Sequence, residues 1–260
     1  LNSGMVSVDR PMAAIKKLVF EEKKYTLEEV CEACANNFGY EPVEKSGNFS
    51  MFNQKKVSRE WEQIHRDLLE APKYGNDDDY VDSIFVDLWE HYNQTCFSET
   101  SYLGYEWIPA ALSISAHGPF GRACGASPDG RLAGVTLTDG VLSATPGTDV
   151  NGPIALLNSG VKLDPTPMRS VQLNMKMHPQ SIKGTEGSKN FVNFIKTYFD
   201  QGGYHIQFNV VDSDMLRDAQ AHPENYRDLI VRVAGFSAYW VELGKPIQDE
   251  LIARTEYAAC

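Results

Sequence analysis

The spacing of apolar and polar positions changes character near residue 100. Before it, apolar residues recur at helical intervals, and residues 9–38 read as helical, with most of the pattern in "MAAIKKLVFEEKKYTLEEVCEACANNF". Within that stretch Thr26 is an N-cap, and Glu29 three residues on completes a capping box. Residues 39–58 read as a polar loop. "REWEQIHRDLLEAP" predicts a second helix that Pro72 closes, because the residue before a proline is pushed out of helical geometry. "KYGNDDDYVDSIFVDLWEHYNQTCF" predicts a turn, an acidic helix start and then a long amphipathic helix.

Beyond residue 100 the periods shorten. "LSISAH" (112–117) has the composition of a short buried strand. Residues 118–160 are rich in Gly, Pro, Ser, Thr and Asp, yet Phe120, Leu132, Val135, Leu137, Val141, Leu142 and Ile154 punctuate them. That combination predicts a compact, glycine-bent loop system over a site rather than a disordered tract. "SVQLNMKM" (170–177) and "HIQFNVV" (205–211) read as strands flanking the helix "GSKNFVNFIKTYFDQGG", a strand–helix–strand unit. Asp212 and Ser213 cap a helix over about 214–221, and Pro246 starts a final helix, "IQDELIARTEY". No internal repeat interrupts this order.

Composition narrows the function. The chain has 260 residues, 42% hydrophobic and 23% charged, enough for one large domain with a buried core. Its net charge of −11 argues against nucleic acid or an anionic membrane as the main partner. No apolar run approaches bilayer length, and residues 1–20 lack the basic start and apolar core of a signal peptide. The five cysteines are odd in number, as expected in a reducing, cytoplasmic setting. The start at Leu1, without an initiator methionine, raises the expectation of a fragment.

Most candidate chemistry reads as structure. Cys31 and Cys34 form a C-x-x-C inside a helix with no second ligand pair, so packing explains them and no metal is expected. The six histidines include no H-E-x-x-H pattern, although His117 and His205 stand at strand ends where an acid–base role is open beside that of a core histidine. Asp77, Asp78 and Asp79 lack a calcium-loop pattern and suit a helix start. Cys124, in "GRACGASPDG", has no neighbouring base that the sequence identifies.

Gly235 is different. It sits among Val231, Val233, Phe236, Tyr239 and Trp240 in "RVAGFSAYW" and buries nothing itself. A glycine at positive φ accounts for it structurally. The chemical alternative is a radical centre. Loss of a hydrogen atom from Cα leaves a planar carbon between an electron-donating amide nitrogen and an electron-withdrawing carbonyl, unhindered by a Cβ, and apolar neighbours would shield it.

Residues 231–256, "VRVAGFSAYWVELGKPIQDELIARTE", resemble the glycyl radical signature of the pyruvate formate-lyase superfamily, with Gly235 as the radical glycine. "AAIKKLVFEEKK", "APKYGNDDDYVD", "SAHGPFGRACGASPDGRLAG", "LTDGVLSATPGTDVNGP" and "YHIQFNVVDSDMLRDAQAHPENYRDL" are similar to its dehydratase and lyase branch. The resemblance implies an α/β fold, the C-terminal portion of a ten-stranded barrel with surrounding helices, divided into a barrel part at 1–185 and a glycyl radical domain at 186–260. It implies a radical stored on the backbone with no bound cofactor. The radical would be installed by an iron–sulfur activating enzyme that uses S-adenosylmethionine (a radical-SAM enzyme). A thiyl radical on a cysteine would then take a hydrogen atom from a small-molecule substrate, in a homodimeric enzyme when full-length.

One departure matters. The superfamily's thiyl cysteine lies in a G-C-x-E type motif, and none of the five cysteines has that context. The piece is therefore expected to be inactive alone. "FSAYWVELGKPIQDELIARTEY" and "SYLGYEWIPAALSISAHGPFGRACGA" lean toward the 4-hydroxyphenylacetate decarboxylase-like group, beside elimination of a hydroxyl or amine. A non-catalytic spare-part subunit and a formate acetyltransferase-type enzyme are the alternatives. Strand ends and loops nominate Ser113, Ser115, His117 and Thr145 as lining of the substrate cavity.

Overall fold

The computed structural model describes residues 5–41, 54–111 and 116–258. The first apolar stripe folds as α1 (Val6–Ile15), whose last turn widens into a π-helical segment, Lys16–Glu21. The helix expected over 9–38 is broken at residues 22–26, and α2 (Leu27–Ala35) starts afresh. The capping box explains the break. Thr26 is extended (φ −82°, ψ 161°), its hydroxyl accepts from Glu29 N–H at 3.2 Å, and the Glu29 carboxylate accepts from Thr26 N–H at 2.8 Å. A strong helix start needs non-helical backbone before it, so the same residues that open α2 end the preceding helix.

Helices α3 (Glu62–Glu70) and α4 (Asp79–Ser98) form where the periodicity predicts, with the Asp78 carboxylate capping α4 through Tyr80 N–H at 3.0 Å. Val81, Phe85 and Trp89 on one face of α4 pack with Val6 and Ala13 of α1 in the main core. Ala14 and Leu18 reach instead into a smaller cluster with Val30, Ala33, Ile64 and Leu68.

Of the strand expected at 112–117, residues 112–115 lie outside the described residues. Ala116 is in a turn, and His117 begins a helix, α5 (His117–Ala123). The glycine-rich stretch is thus helical at both ends, since α6 (Pro153–Val161) closes it, and irregular only between them. Arg131 organises part of that middle by donating to the carbonyls of Leu132 at 3.2 Å and Val135 at 2.9 Å.

The strand–helix–strand unit is present. β1 (Asn174–Met177) and β2 (Gln207–Val210) pair in parallel, Asn174 opposite Gln207, with α7 (Gly184–Asp200) between them in sequence. All four residues of β1 are buried, the pattern of a strand covered on both faces. After α8 (Ser213–Ala221), capped by Asp212, come β3 (Ile230–Arg232) and β4 (Ser237–Tyr239), an antiparallel hairpin.

The final helix, α9, spans Lys245–Ala253 and stops short of its expected end at Tyr257. Glu256 and Tyr257 form β5, a third parallel strand beside β1. Side chains hold the chain there, because the hydroxyls of Thr255 and Tyr257 both donate to buried Asp149. Among the described residues the strands make a three-stranded sheet, β2–β1–β5, and the β3–β4 hairpin. The fold is mixed helix and sheet, and the expected portion of a ten-stranded barrel is not shown among the described residues. No helix among the described residues is long and apolar enough to cross a membrane.

Candidate functional site

Gly235 sits in the turn of the β3–β4 hairpin. Arg232 pairs with Ser237 across the hairpin, and residues 233–236 close it, with Val233 N–H donating to the Phe236 carbonyl at 2.9 Å. The backbone at Gly235 has φ +77°, a region that L residues with a Cβ avoid. The turn therefore favours glycine on conformational grounds alone, whatever its chemistry.

The apolar neighbours divide into two sets. Val231, Val233, Ala234 and Trp240 are buried in a cluster with Val211, Leu216, Leu251 and Ile252. Phe236 and Tyr239 are 42% and 44% exposed, and Gly235 is exposed too. Across the β3–β4 pairing Val231 stands opposite Ala238 on the side of this core, and exposed Ile230 stands opposite exposed Tyr239 on the other.

Polar groups hold the loop from the other direction. Arg232 Nη2 donates to the Gly235 carbonyl at 3.2 Å and Nη1 to Ser237 Oγ at 3.3 Å, while Nε donates to Gln207 Oε1. The Asn209 side chain exchanges two hydrogen bonds with the Arg232 backbone, each at 3.3 Å. Gln207 Nε2 lies 3.2 Å from His205 Nε2, which accepts as a neutral imidazole. Burial, with the charge of Arg232, holds the His205 pKa below its ordinary value. Strand β2 thus anchors the hairpin through side chains that the sequence analysis did not single out, apart from His205. Their one sequence signal is Arg232 at the head of "RVAGF".

His117 is buried and belongs to a charge cluster. Its Nε2 lies 3.3 Å from Glu250 Oε2, and Arg254 donates to both Glu250 oxygens at 2.8 and 2.9 Å. Arg254 Nη1 also meets Asp139 at 3.1 Å, and Asn174 Nδ2 donates to Asp139 at 2.7 Å. Burial alone would raise the Glu250 carboxyl, but Arg254 and His117 outweigh it and hold it at about 2. Asp139 moves the other way, raised by burial that Arg254 offsets only in part. The cluster ties α9, below the glycine hairpin, to α5, β1 and the glycine-rich segment.

Thr145 lines a separate cavity of about 620 Å³ with Arg10, Lys73, Asp129 and Arg131, away from the hairpin residues. Ser113 and Ser115 lie outside the described residues. Cys31 and Cys124 are exposed, and burial pushes the Cys34 thiol up to about 12, which disfavours a reactive thiolate.

His178, Asp212 and Glu256 converge at the ends of β1, β2 and β5 and have the donor types of a cation site. Each already has a partner within the chain. His178 Nδ1 accepts from Gln180 N–H at 3.1 Å, which leaves the proton on Nε2, facing the two carboxylates at 3.6 and 3.8 Å. Asp212 caps α8, and Glu256 accepts from Ser213 N–H at 2.8 Å. The group reads as strand-end bonding.

Comparison with known proteins bears on the glycine. Residues 138–241 match the family model "Glycine radical", and residues 2–121 match "Pyruvate formate lyase-like". The chain is 66% identical over 262 residues to indoleacetate decarboxylase of Tractidigestivibacter scatoligenes, an alignment covering 100% of this chain and 30% of that protein. It is 47% identical to the 4-hydroxyphenylacetate decarboxylase glycyl radical subunit of Clostridioides difficile, over 98% of this chain and 28% of the relative. The fold superposes on the B12-independent glycerol dehydratase of Clostridium butyricum with a TM-score of 0.85 and 38% identity, covering 98% of this chain and 30% of that one. The chain therefore spans under a third of the length of these relatives.

Proposed function

The chain belongs to the pyruvate formate lyase-like glycyl radical family, and on that premise we propose that it is the radical-storing part of an arylacetate decarboxylase. The observation that carries the reaction class is the 66% identity to an indoleacetate decarboxylase across the whole chain, against 38% to a glycerol dehydratase of the same fold. Elimination of a hydroxyl or amine is the second reading, favoured only by that shared fold.

In this reading Gly235 gives up one Cα hydrogen atom to the organic radical of a radical-SAM activating enzyme in the cytoplasm. The unpaired electron stays on Cα, between the Gly235 nitrogen and its carbonyl. A thiyl cysteine in the part of the relatives that this chain does not span then receives the radical character and returns a hydrogen atom to Gly235. Breaking the bond between the benzylic carbon and the carboxylate releases CO₂, and with uptake of one proton overall a hydrogen takes its place on that carbon to give the aryl-methyl product. In the same reading residues 1–185 belong to the barrel part and 186–260 to the glycyl radical domain; the separate core beneath the hairpin supports a distinct unit from Val211 onward, while Phe194, Tyr198 and Tyr257 pack in the main core.

The test is anaerobic activation of the complete enzyme, followed by electron paramagnetic resonance and product analysis. A doublet from a single α-hydrogen that vanishes in Gly235→Ala supports the radical site. CO₂ and a methylarene formed from indoleacetate or 4-hydroxyphenylacetate support the reaction class. Dehydration of glycerol or propanediol with no CO₂ from the arylacetates would overturn it.

A further inference from the structure

The hairpin exposes its glycine, yet it does not leave that glycine's carbonyl free. Arg232 lies at the end of β3 and turns its guanidinium back over the loop to reach the Gly235 oxygen at 3.2 Å. The same guanidinium bonds Ser237 on the far side of the turn and Gln207 on β2. Its backbone is fixed on both sides by Asn209. A long side chain loses rotamer freedom when it is held at three points, and here every point flanks or supports one glycine.

The chemistry at that oxygen gives the arrangement a consequence. A radical on Gly235 Cα is stabilised on one side by the electron-withdrawing power of the Gly235 carbonyl. A cationic donor at the oxygen lowers the energy of the carbonyl's antibonding orbital and strengthens that withdrawal. Charge-assisted hydrogen bonds are about twice as strong as neutral ones, so guanidinium exceeds what a neutral donor could supply. The fork shape of Arg also fixes the direction in which the carbonyl points, which a lysine ammonium would do less well. Gln207 completes the support. Its carbonyl oxygen takes Arg232 Nε–H, and its amide faces His205 Nε2, so Gln207 is held in one orientation by neutral His205.

We propose that Arg232 is a positioning residue for the radical: it holds and polarises the Gly235 carbonyl, and so sets how much spin leaves Cα and how long the radical survives. This rests on the reading of Gly235 as the radical site. The substitutions to compare, in the complete enzyme, are Arg232→Gln, Arg232→Lys and Gln207→Leu, the last of which loosens the guanidinium while keeping its charge. Each is checked for an unchanged circular dichroism spectrum, activated anaerobically, and read by the α-hydrogen splitting of its doublet and by radical lifetime.

The bond to the Gly235 carbonyl is made in the resting state as well, so only its strengthening in the radical counts, and Arg232→Gln should shorten the radical lifetime by up to about tenfold. Its doublet should show larger α-hydrogen splitting, because less spin reaches the carbonyl. Arg232→Lys should restore part of both, and Gln207→Leu should fall between wild type and Arg232→Gln. A wild-type splitting and lifetime in Arg232→Gln would overturn the proposal. If Arg232→Gln gives no doublet, Gln207→Leu decides: an altered splitting supports the proposal and an unaltered one overturns it. Failure of the wild type to give any doublet with a competent activase is a different result, since it removes the Gly235 radical itself.

Discussion

Replacing Arg254 by Met should remove more stability than any other single change at the junction of α9 with the rest of the chain. Arg254 is the shared counter-ion of Glu250 and Asp139, and all three are buried, with Glu250 fully so. Methionine keeps much of the volume, so the cost is electrostatic. Glu250 is held at about 2 against an ordinary 4.5, a difference equivalent to about 3 kcal/mol of stabilisation by linkage. Breaking a buried pair by deleting one partner costs about 3–5 kcal/mol, which agrees in scale.

The sign fixes the pH dependence. A carboxyl depressed in the fold stabilises above its unfolded pKa and loses that contribution as pH falls through the folded value. Without Arg254 the depression of Glu250 is largely gone, and Asp139, already raised by burial, takes up a proton readily. The penalty for Arg254→Met should therefore be near its full size at pH 7, begin to shrink below about pH 4.5 and be largely gone near pH 2. Urea unfolding followed by the fluorescence of Trp240, buried close to α9, measures both. The combined change Asp139→Leu, Glu250→Leu, Arg254→Met should regain most of the loss, because an apolar replacement leaves no charge unpaired. A single-variant penalty under about 1 kcal/mol at pH 7, or one that does not shrink with acid, would refute the reasoning.

Three further outcomes are expected. Gly235→Ala should abolish the radical signal and also destabilise the hairpin by about 1–2 kcal/mol, since alanine must adopt φ +77° there; an unchanged unfolding midpoint would remove the conformational half of the argument. His65 and His205 both have pKa values lowered in the fold by burial, so the unfolded chain binds protons first as pH falls through about 6.5 and stability drops; urea midpoints at pH 7.5 and 5.5 should show that order, and the reverse would sink it. Thr26→Ala removes one half of the capping box and should cost about 1 kcal/mol, with Thr26→Ser close to wild type; equal loss in both would point to the methyl group instead.

Local signals were legible where the chemistry is local. Thr26 with Glu29, Asp78 before α4 and Asp212 before α8 each act on backbone groups two or three residues away, and each helix begins there. The strand–helix–strand unit was legible for the same reason, because period and punctuation are properties of a short window. What failed depends on distance. Residues 245–257 carry one helical pattern, yet the chain leaves the helix at Arg254, where Asp139 and Asp149 supply partners more than a hundred residues away. The charge around His117 was equally hidden, since His117, Asp139 and Glu250 share no spacing rule.

The glycine site shows how the two kinds of information combine. Composition around Gly235 suggested an apolar shield, and within this chain the apolar residues divide, Val231 and Val233 packing into the core beneath the hairpin while Phe236 and Tyr239 face outward. The hairpin itself supplies a left-handed backbone that only glycine adopts freely, and a guanidinium on the glycine's carbonyl. Both requirements select glycine, but by different chemistry. The turn disfavours most side chains in the resting state, and the radical excludes a Cβ in the planar state. A substitution that satisfied the turn, such as Gly235→Asn, would still place a Cβ on the planar carbon. It should keep the hairpin and give no long-lived radical, and a doublet of wild-type lifetime in Gly235→Asn would overturn the assignment of the radical to Gly235.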